Sequence, residues 1–261
     1  ALAAEKIYVM QTIEKPQYGK TGNELVFQKL RRDVNQIVHD LTSRRRKGII
    51  FKAIFFPALY SAVYLLAITR GNNLSVLYAC YFLLGLLLVF IFLNIIHDAV
   101  HGTIFQNKNL NKAYVHLFDL MGANSYIWQI RHVKFHHNYP NVNGWDTDIE
   151  QSDLARVFPH GGFSKIHKYQ HIYLPVLYPL FLANWLLVRD FKDFFDKRKP
   201  VHKLIRIPTI EYVKLFFFKA FFLSYLVVLP KAILGISWVA ALTAFAIMLF
   251  TASILALIVL L

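Results

Sequence analysis

Four long apolar runs decide what this chain can become. Residues 49–69 ("IIFKAIFFPALYSAVYLLAIT"), 75–96, 213–229 and 232–261 are almost free of charge. At 1.5 Å of helical rise per residue, about 20 such residues cross a hydrocarbon layer of roughly 30 Å. The chain has 261 residues, 56% of them hydrophobic, and a mean hydropathy of +0.41. That excludes an ordinary soluble domain and places the chain in the membrane class. Its net charge of +14 comes largely from bunched Lys and Arg, as in Arg44, Arg45, Arg46 and Lys47 and again over 189–206. In a membrane protein such bunches mark the cytoplasmic side. No nucleic-acid motif accompanies them, so no nucleic-acid partner is expected. The one cysteine, Cys80, excludes an internal disulfide and reads as a small buried hydrophobe.

These runs predict an all-α integral membrane protein. Residues 1–48 read as an N-terminal amphipathic cytosolic segment, with Val26, Leu30, Val34, Ile37, Val38 and Leu41 at helical spacing. Residues 49–261 form the membrane domain. The basic cluster before residue 49 starts the first span on the cytoplasmic side. "RGNNL" turns the chain, and 75–96 returns to deliver His97 to the cytoplasmic surface. Residues 171–188 are apolar but carry Pro175 and Pro179, which suit an in-plane or cytosolic-domain helix better than a span. Residues 213–229 and 232–261 pair around Pro230 and Lys231. Lys219 is expected to snorkel toward an interface. The predicted architecture is therefore two transmembrane helical hairpins with a cytoplasmic helical histidine-rich domain.

That domain holds two polar stretches, "NIIHDAVHG" and "RHVKFHHNYPN". His97 and His101 are i and i+4, as are His132 and His136. On an α-helix such pairs share a face one turn apart and can reach one metal. His137 is turned by about 100° from His136 and serves a second metal or closes the rim of the same site. Five histidines exceed what one tetrahedral zinc takes, so a binuclear centre fits. Imidazole suits iron, zinc, copper or nickel, so ligand type alone does not choose the metal. Asp98, Asp146, Asp148 and Glu150 are candidates to hold the outward ring nitrogens, which metal-bound histidines require. His167 and His171 form a third i, i+4 pair, read as structural or substrate-side. His39, His116, His160 and His202 read as structural or solvated. Tyr126 and Trp128 read as core or interfacial aromatics, with a substrate-tunnel role as the alternative.

"HDAVHG", "NKNLN" and "GANSYIWQIRHVKFHHNYPNVNGWDTDIE" together resemble the membrane fatty-acid desaturases, in particular bacterial acyl-lipid or acyl-CoA desaturases of the front-end type. The likeness covers most of residues 50–261, and "HKYQHIY" fits the same subgroup. Trp145 departs from it, standing where the subgroup often has His after Gly. The resemblance implies a non-haem di-iron enzyme using O2, with His97, His101, His132, His136 and His137 as iron ligands. It implies removal of two hydrogens from adjacent methylenes of an acyl chain carried on a membrane lipid or CoA. No haem domain is visible, so an external electron donor is expected, a ferredoxin or a b-type cytochrome, which the basic stretch 189–206 could dock.

Two alternatives stand beside the desaturase reading. A lipid or alkane hydroxylase of the same di-iron type shares these boxes. A metal-binding or transporting membrane protein is the other, although transporters place ligands near mid-bilayer, whereas all five histidines here follow the end of a span. The chain opens without Met and stops at "LIVLL" inside an apolar run. The resemblance also calls for a third histidine box after the last span. The expectation is that the domain is incomplete at the C-terminus, that the gene continues past Leu261, and that this piece alone is inactive.

Overall fold

A computed structural model describes residues 15–17, 24–149, 154–158 and 162–260. Among them there is no strand. The order is α1 (Glu24–Arg70), α2 (Leu74–Val100), α3 (Lys108–Val115), α4 (Leu117–Leu120), α5 (125–136), α6 (Lys165–Phe195), α7 (Val201–Leu204), α8 (Thr209–Leu234) and α9 (Trp238–Leu260). Five segments are long and apolar enough to cross a membrane: Arg45–Arg70 within α1, then α2, α6, α8 and Trp238–Val259 of α9. The sequence reading counted four; α6 is the fifth. Large apolar side chains such as Phe51, Leu65, Phe217 and Val239 point outward, as suits a surface facing hydrocarbon rather than water.

The apolar pattern changes near residue 48, but the backbone does not. α1 runs unbroken from Glu24 to Arg70, so the amphipathic segment and the first apolar run are one helix. Val26, Leu30, Val34, Ile37, Val38 and Leu41 stay exposed along it. α2 opens on Asn73, whose side chain accepts a hydrogen bond from the Ser75 amide, an ordinary N-cap. α9 lies against α2. At Gly85 any Cβ would come within 2.5 Å of the Met248 carbonyl oxygen, so only glycine permits this approach.

The turn between α8 and α9 falls at Gly235, not at Pro230 and Lys231 as the sequence suggested. Gly235 has φ +65°, which glycine adopts without strain. Pro230 lies inside α8, just after a π-helical turn, Ser224–Val228. A proline has no N–H to give the carbonyls four and five residues back. Here those carbonyls belong to Leu226 and Tyr225, and they accept from the Tyr81 and Tyr64 hydroxyls instead. The helix therefore continues past the proline with its backbone satisfied.

Lys219 does not snorkel. It is 7% exposed, its Nζ stands 2.6 Å from Asp190 Oδ2 in α6, and it also donates to the Gly122 carbonyl. A partner carboxylate and a carbonyl inside the fold replace the water that snorkelling would have reached. Two apolar cores flank this pair. One gathers Leu77, Tyr81, Leu84 and Ile95 of α2 with Ala244, Met248 and Ala252 of α9. The other gathers Phe135, Trp145, Phe194 and Leu215. The histidines lie between them.

Candidate metal centre

α2 reaches the site through a π-helical turn, Phe92–Ile96, then one α turn, His97–Val100. His101 follows directly, still in the right-handed helical region, and Gly102 at φ +70° ends the helix. The Thr103 hydroxyl donates to the Asp98 carbonyl at 2.9 Å and closes that end. The His97 and His101 rings lie 4.9 Å apart, as the i, i+4 spacing predicts.

The second box departs from the α-helical expectation. α5 starts as an α-helix capped by the Asn124 side chain, then becomes a π-helix over Ile130–His136. The His137 amide donates to the His132 carbonyl at 3.0 Å, five residues back. In an α-helix those residues stand about 140° apart; in the wider π turn their rings meet edge-on, centroids 4.5 Å apart and planes at 72°. His132 therefore meets His137, with Nε2 atoms 3.1 Å apart, as well as His97, Nε2 to Nε2 at 3.2 Å. His101 closes the group, its ring 4.8 Å from His137 and 5.5 Å from His132. Ligand nitrogens of His97, His101 and His132 all lie within 4.8 Å of one another. His136 stands at the edge, its ring 5.6 Å from both His132 and His137. π turns are rare and recur at functional sites because they re-aim side chains.

The loop after His137 supplies carboxylates. His132 Nδ1 is 3.1 Å from Asp148 Oδ2, and His136 Nδ1 is 3.0 Å from Asp146 Oδ1. Asp146 is buried and accepts backbone N–H bonds from Asn141 at 2.8 Å and Asp148 at 3.0 Å, which fix its orientation. Asp98 is looser, 3.8 Å from His97 Nδ1. Burial pushes the His101 and His137 rings toward the neutral form, and the neighbouring histidines push the same way. Burial alone would raise the Asp148 carboxyl. The hydrogen bond from His132, with Arg131 beside it, takes it below its usual value instead.

Elsewhere the predicted residues separate. His167 is buried, and its Nδ1 accepts from the Ser164 amide at 3.0 Å at the start of α6. His171 is exposed. His116 bonds Asp119 at 2.7 Å, and His202 donates to the Asp193 carbonyl at 3.0 Å, both structural roles. Trp145 is a core residue, packed on Phe135 and Tyr139. Glu150 and His160 lie outside the described residues, as does the side chain of His39.

Sequence reasoning missed two features. Trp128, read first as a core or interfacial aromatic with a substrate-tunnel role as the alternative, stacks on the His132 ring at 5.1 Å and 12°. Phe92 and Phe118 touch Trp128 and, with Met121 and Trp185, line a narrow apolar cavity of about 50 Å³. Arg131, read only as part of a motif, is buried and ion-paired to Asp193 at 2.6 Å. The two acidic residues three apart in "RDFKD" were the signal for that network: on a helix they share a face, and a face carrying two carboxylates in an apolar setting needs cations opposite.

Among the described residues an all-helical arrangement, with apolar helices long enough to span a bilayer and five histidines gathered at the end of one of them, defines a class of helical membrane proteins with a candidate metal site. Within that class the match is specific. Residues 72–259 match the family model "Fatty acid desaturase", and the chain belongs to that family. It is 31% identical over 187 residues, 70% of its length, to an acyl-lipid (8-3)-desaturase of Physcomitrium patens, of which that covers 38%. It is 31% identical over 141 residues to an sn-1 linoleoyl-lipid 6-desaturase of Arthrospira platensis, covering 54% of this chain and 38% of that one. A Synechocystis protein of the same description is 27% identical over 210 residues, covering 78% of this chain and 58% of its own. The chain thus spans between about two fifths and three fifths of these relatives. No solved structure matches it.

Proposed function

We propose that this chain carries the centre of an oxygen-dependent acyl-lipid desaturase, holding two non-haem irons with His97, His101, His132, His136 and His137 among the ligands. The carrying observation is the convergence of Nε2 atoms at 3.1 and 3.2 Å around His132. Two nitrogens each roughly 2.1 Å from one ion stand about 3.0–3.4 Å apart, so the donor set fits a cation. The outward nitrogens fit as well. Asp148 and Asp146 hold His132 and His136 by Nδ1, leaving each Nε2 free to bind a metal, and that of His132 faces His97 and His137.

Iron with O2 and two external electrons supplies the oxidising power that side chains lack for an unactivated C–H bond. The balance is –CH2–CH2– + O2 + 2e⁻ + 2H⁺ → –CH=CH– + 2H2O. The chain's own residues seat and shield the substrate. Trp128 forms a flat wall over His132, and the cavity beside Phe92, Phe118 and Trp185 offers an acyl chain an environment without water. A membrane lipid matches the apolar lining of that cavity and the names of the relatives; acyl-CoA is the other carrier to be tested. Electrons would come from a ferredoxin or a b-type cytochrome, with Lys197, Arg198 and Lys203 offering a basic surface to an acidic donor. Expression of the full-length protein in a host of known lipids, with fatty-acid analysis, is the direct test. A new double bond in a lipid acyl chain is expected; a hydroxylated chain, or no oxidation by an iron-loaded protein, would overturn the reading.

The same reading sets the topology. Two hairpins, α1–α2 and α8–α9, cross the membrane, and the histidine region stays cytoplasmic with α6 beside it. Both ends of α6 are tied to the loop that carries the site carboxylates. Near the start, Gln170 Oε1 accepts from the Arg156 amide at 3.1 Å, and the Tyr173 hydroxyl donates to the Leu154 carbonyl at 2.6 Å. Near the end, Arg189 donates to the Thr147 carbonyl at 2.6 Å. A helix anchored at both ends to one loop lies along one side of the bilayer. Single cysteines at Lys168 and Lys197 should label from the cytoplasmic side only, against a buried native Cys80. Labelling from opposite sides would make α6 a span and refute the two-hairpin arrangement.

A further inference from the structure

We infer that Arg131 and Arg189 are positioning residues, which clamp the Thr147 carbonyl from two helices and so hold Asp146 and Asp148 against the histidines. This rests on the iron reading for its consequence, but the clamp itself is a feature of the chain.

Thr147 stands between the two carboxylates and is buried. Its carbonyl accepts from Arg131 of α5 and, at 2.6 Å, from Arg189 of α6. Its hydroxyl donates to the Arg131 carbonyl at 3.1 Å, which pins the residue from its other side. Two guanidiniums on one neutral carbonyl repel each other and are not assembled without support. The support is visible. Arg131 gives its other terminal nitrogen to Asp193 at 2.6 Å, with both side chains almost fully buried. Arg189 lies over the Trp185 ring, 5.0 Å from its centroid, a cation–π brace.

The geometry follows from Thr147 outward. With its carbonyl and hydroxyl fixed, residues 146 and 148 project to the histidine side. Asp146 reaches His136 and Asp148 reaches His132 at 3.0 and 3.1 Å. Buried Arg131, Asp193 and Thr147 with half-buried Arg189 therefore set the angles of two candidate ligand rings, although none of these four touches those rings' nitrogens. Carboxylates that hold ligand histidines typically change metal affinity 10- to 100-fold when lost. Residues that position them should act in the same direction at the lower end of that range.

The test uses the full-length protein in detergent, with Arg189→Gln, Arg131→Lys and, as a control for losing a cation from the same helix, Lys192→Gln, whose side chain is exposed. Arg131→Lys keeps a cation for Asp193 but cannot reach the Thr147 carbonyl as well. Arg189 is only half-buried, so its variant remains informative should Arg131→Lys fail to fold. In metal-free protein, hydrogen exchange at the Asn141 and Asp148 amides, which Asp146 accepts, should quicken in both arginine variants and not in the control. With Fe(II) added, competition against a chelator should show roughly tenfold weaker binding in the arginine variants. Arg189→Lys should recover part of it. Unchanged exchange in Arg189→Gln, or equal effects from Lys192→Gln, would overturn the clamp. A wild-type protein that takes up no iron would sink the two-iron reading, while the exchange measurement would still decide the clamp.

Discussion

His132→Ala is expected to empty the site. Of the five histidines it alone pairs by Nε2 with two others, His97 at 3.2 Å and His137 at 3.1 Å. Its loss also frees Asp148, which would then face the remaining rings as an unheld carboxylate, and uncovers the face of Trp128. The full-length variant should retain little of its iron, and desaturation should be lost with it, because the metal carries the hard chemistry. His171→Ala should leave iron content within error, because that ring is exposed and apart. His136→Ala should fall between the two, since His136 sits at the edge of the cluster. Iron measured per protein by elemental analysis, with fatty-acid profiles in parallel, separates these outcomes. Full iron and full activity in His132→Ala would remove the ligand assignment.

Much of this site is legible in the chain before any coordinates. Two His pairs four apart, one of them directly after an apolar run, are enough to predict a metal cluster, and the five rings do come together. What is not legible is the pairing within the second box. Counting by 3.6 residues puts His132 with His136 and turns His137 away. The π-helix over Ile130–His136 brings His137 to His132 as well, while the His132 and His136 rings stay stacked 5.6 Å apart. A π turn is a tertiary outcome, sustained by the packing of Ile130 and Phe135 on one side and the Arg131–Asp193 pair on the other, and no local propensity announces it. The membrane helices show the same division. Their existence follows from hydropathy, but the unbroken α1 does not. The change of composition at residue 48 is a change of surroundings along one rod, not an end of the hydrogen-bond ladder. The α8–α9 turn was misplaced for a related reason. Proline is a breaker only if its orphaned carbonyls stay orphaned, and the tyrosines that satisfy them lie some 150 residues away in sequence.

Lys219→Met should be among the most damaging single changes outside the histidines. A lysine in an apolar helix reads as a side chain that must escape to water. This one is instead enclosed with Asp190, which is fully buried and whose Oδ1 has no hydrogen-bond partner among the described residues. Removing the cation leaves a carboxylate with no partner in a low-dielectric interior, a cost of about 3–5 kcal/mol. It also strips the Gly122 carbonyl of its donor. Gly122 has φ +85°, and a Cβ there would lie 2.6 Å from the Phe222 ring, so its segment has little freedom to move and find another partner. The double variant Lys219→Met with Asp190→Leu removes both charges together and should recover most of the loss, because a buried pair and a well-packed apolar pair are often of similar stability. The recovery should be incomplete by about 1 kcal/mol, the cost of leaving the Gly122 carbonyl unbonded. Thermal midpoints in detergent for the two single variants and the double complete the cycle. Single variants that unfold at the wild-type midpoint would mean that the pair is solvated rather than buried, and the expectation of a snorkelling lysine would have been right after all.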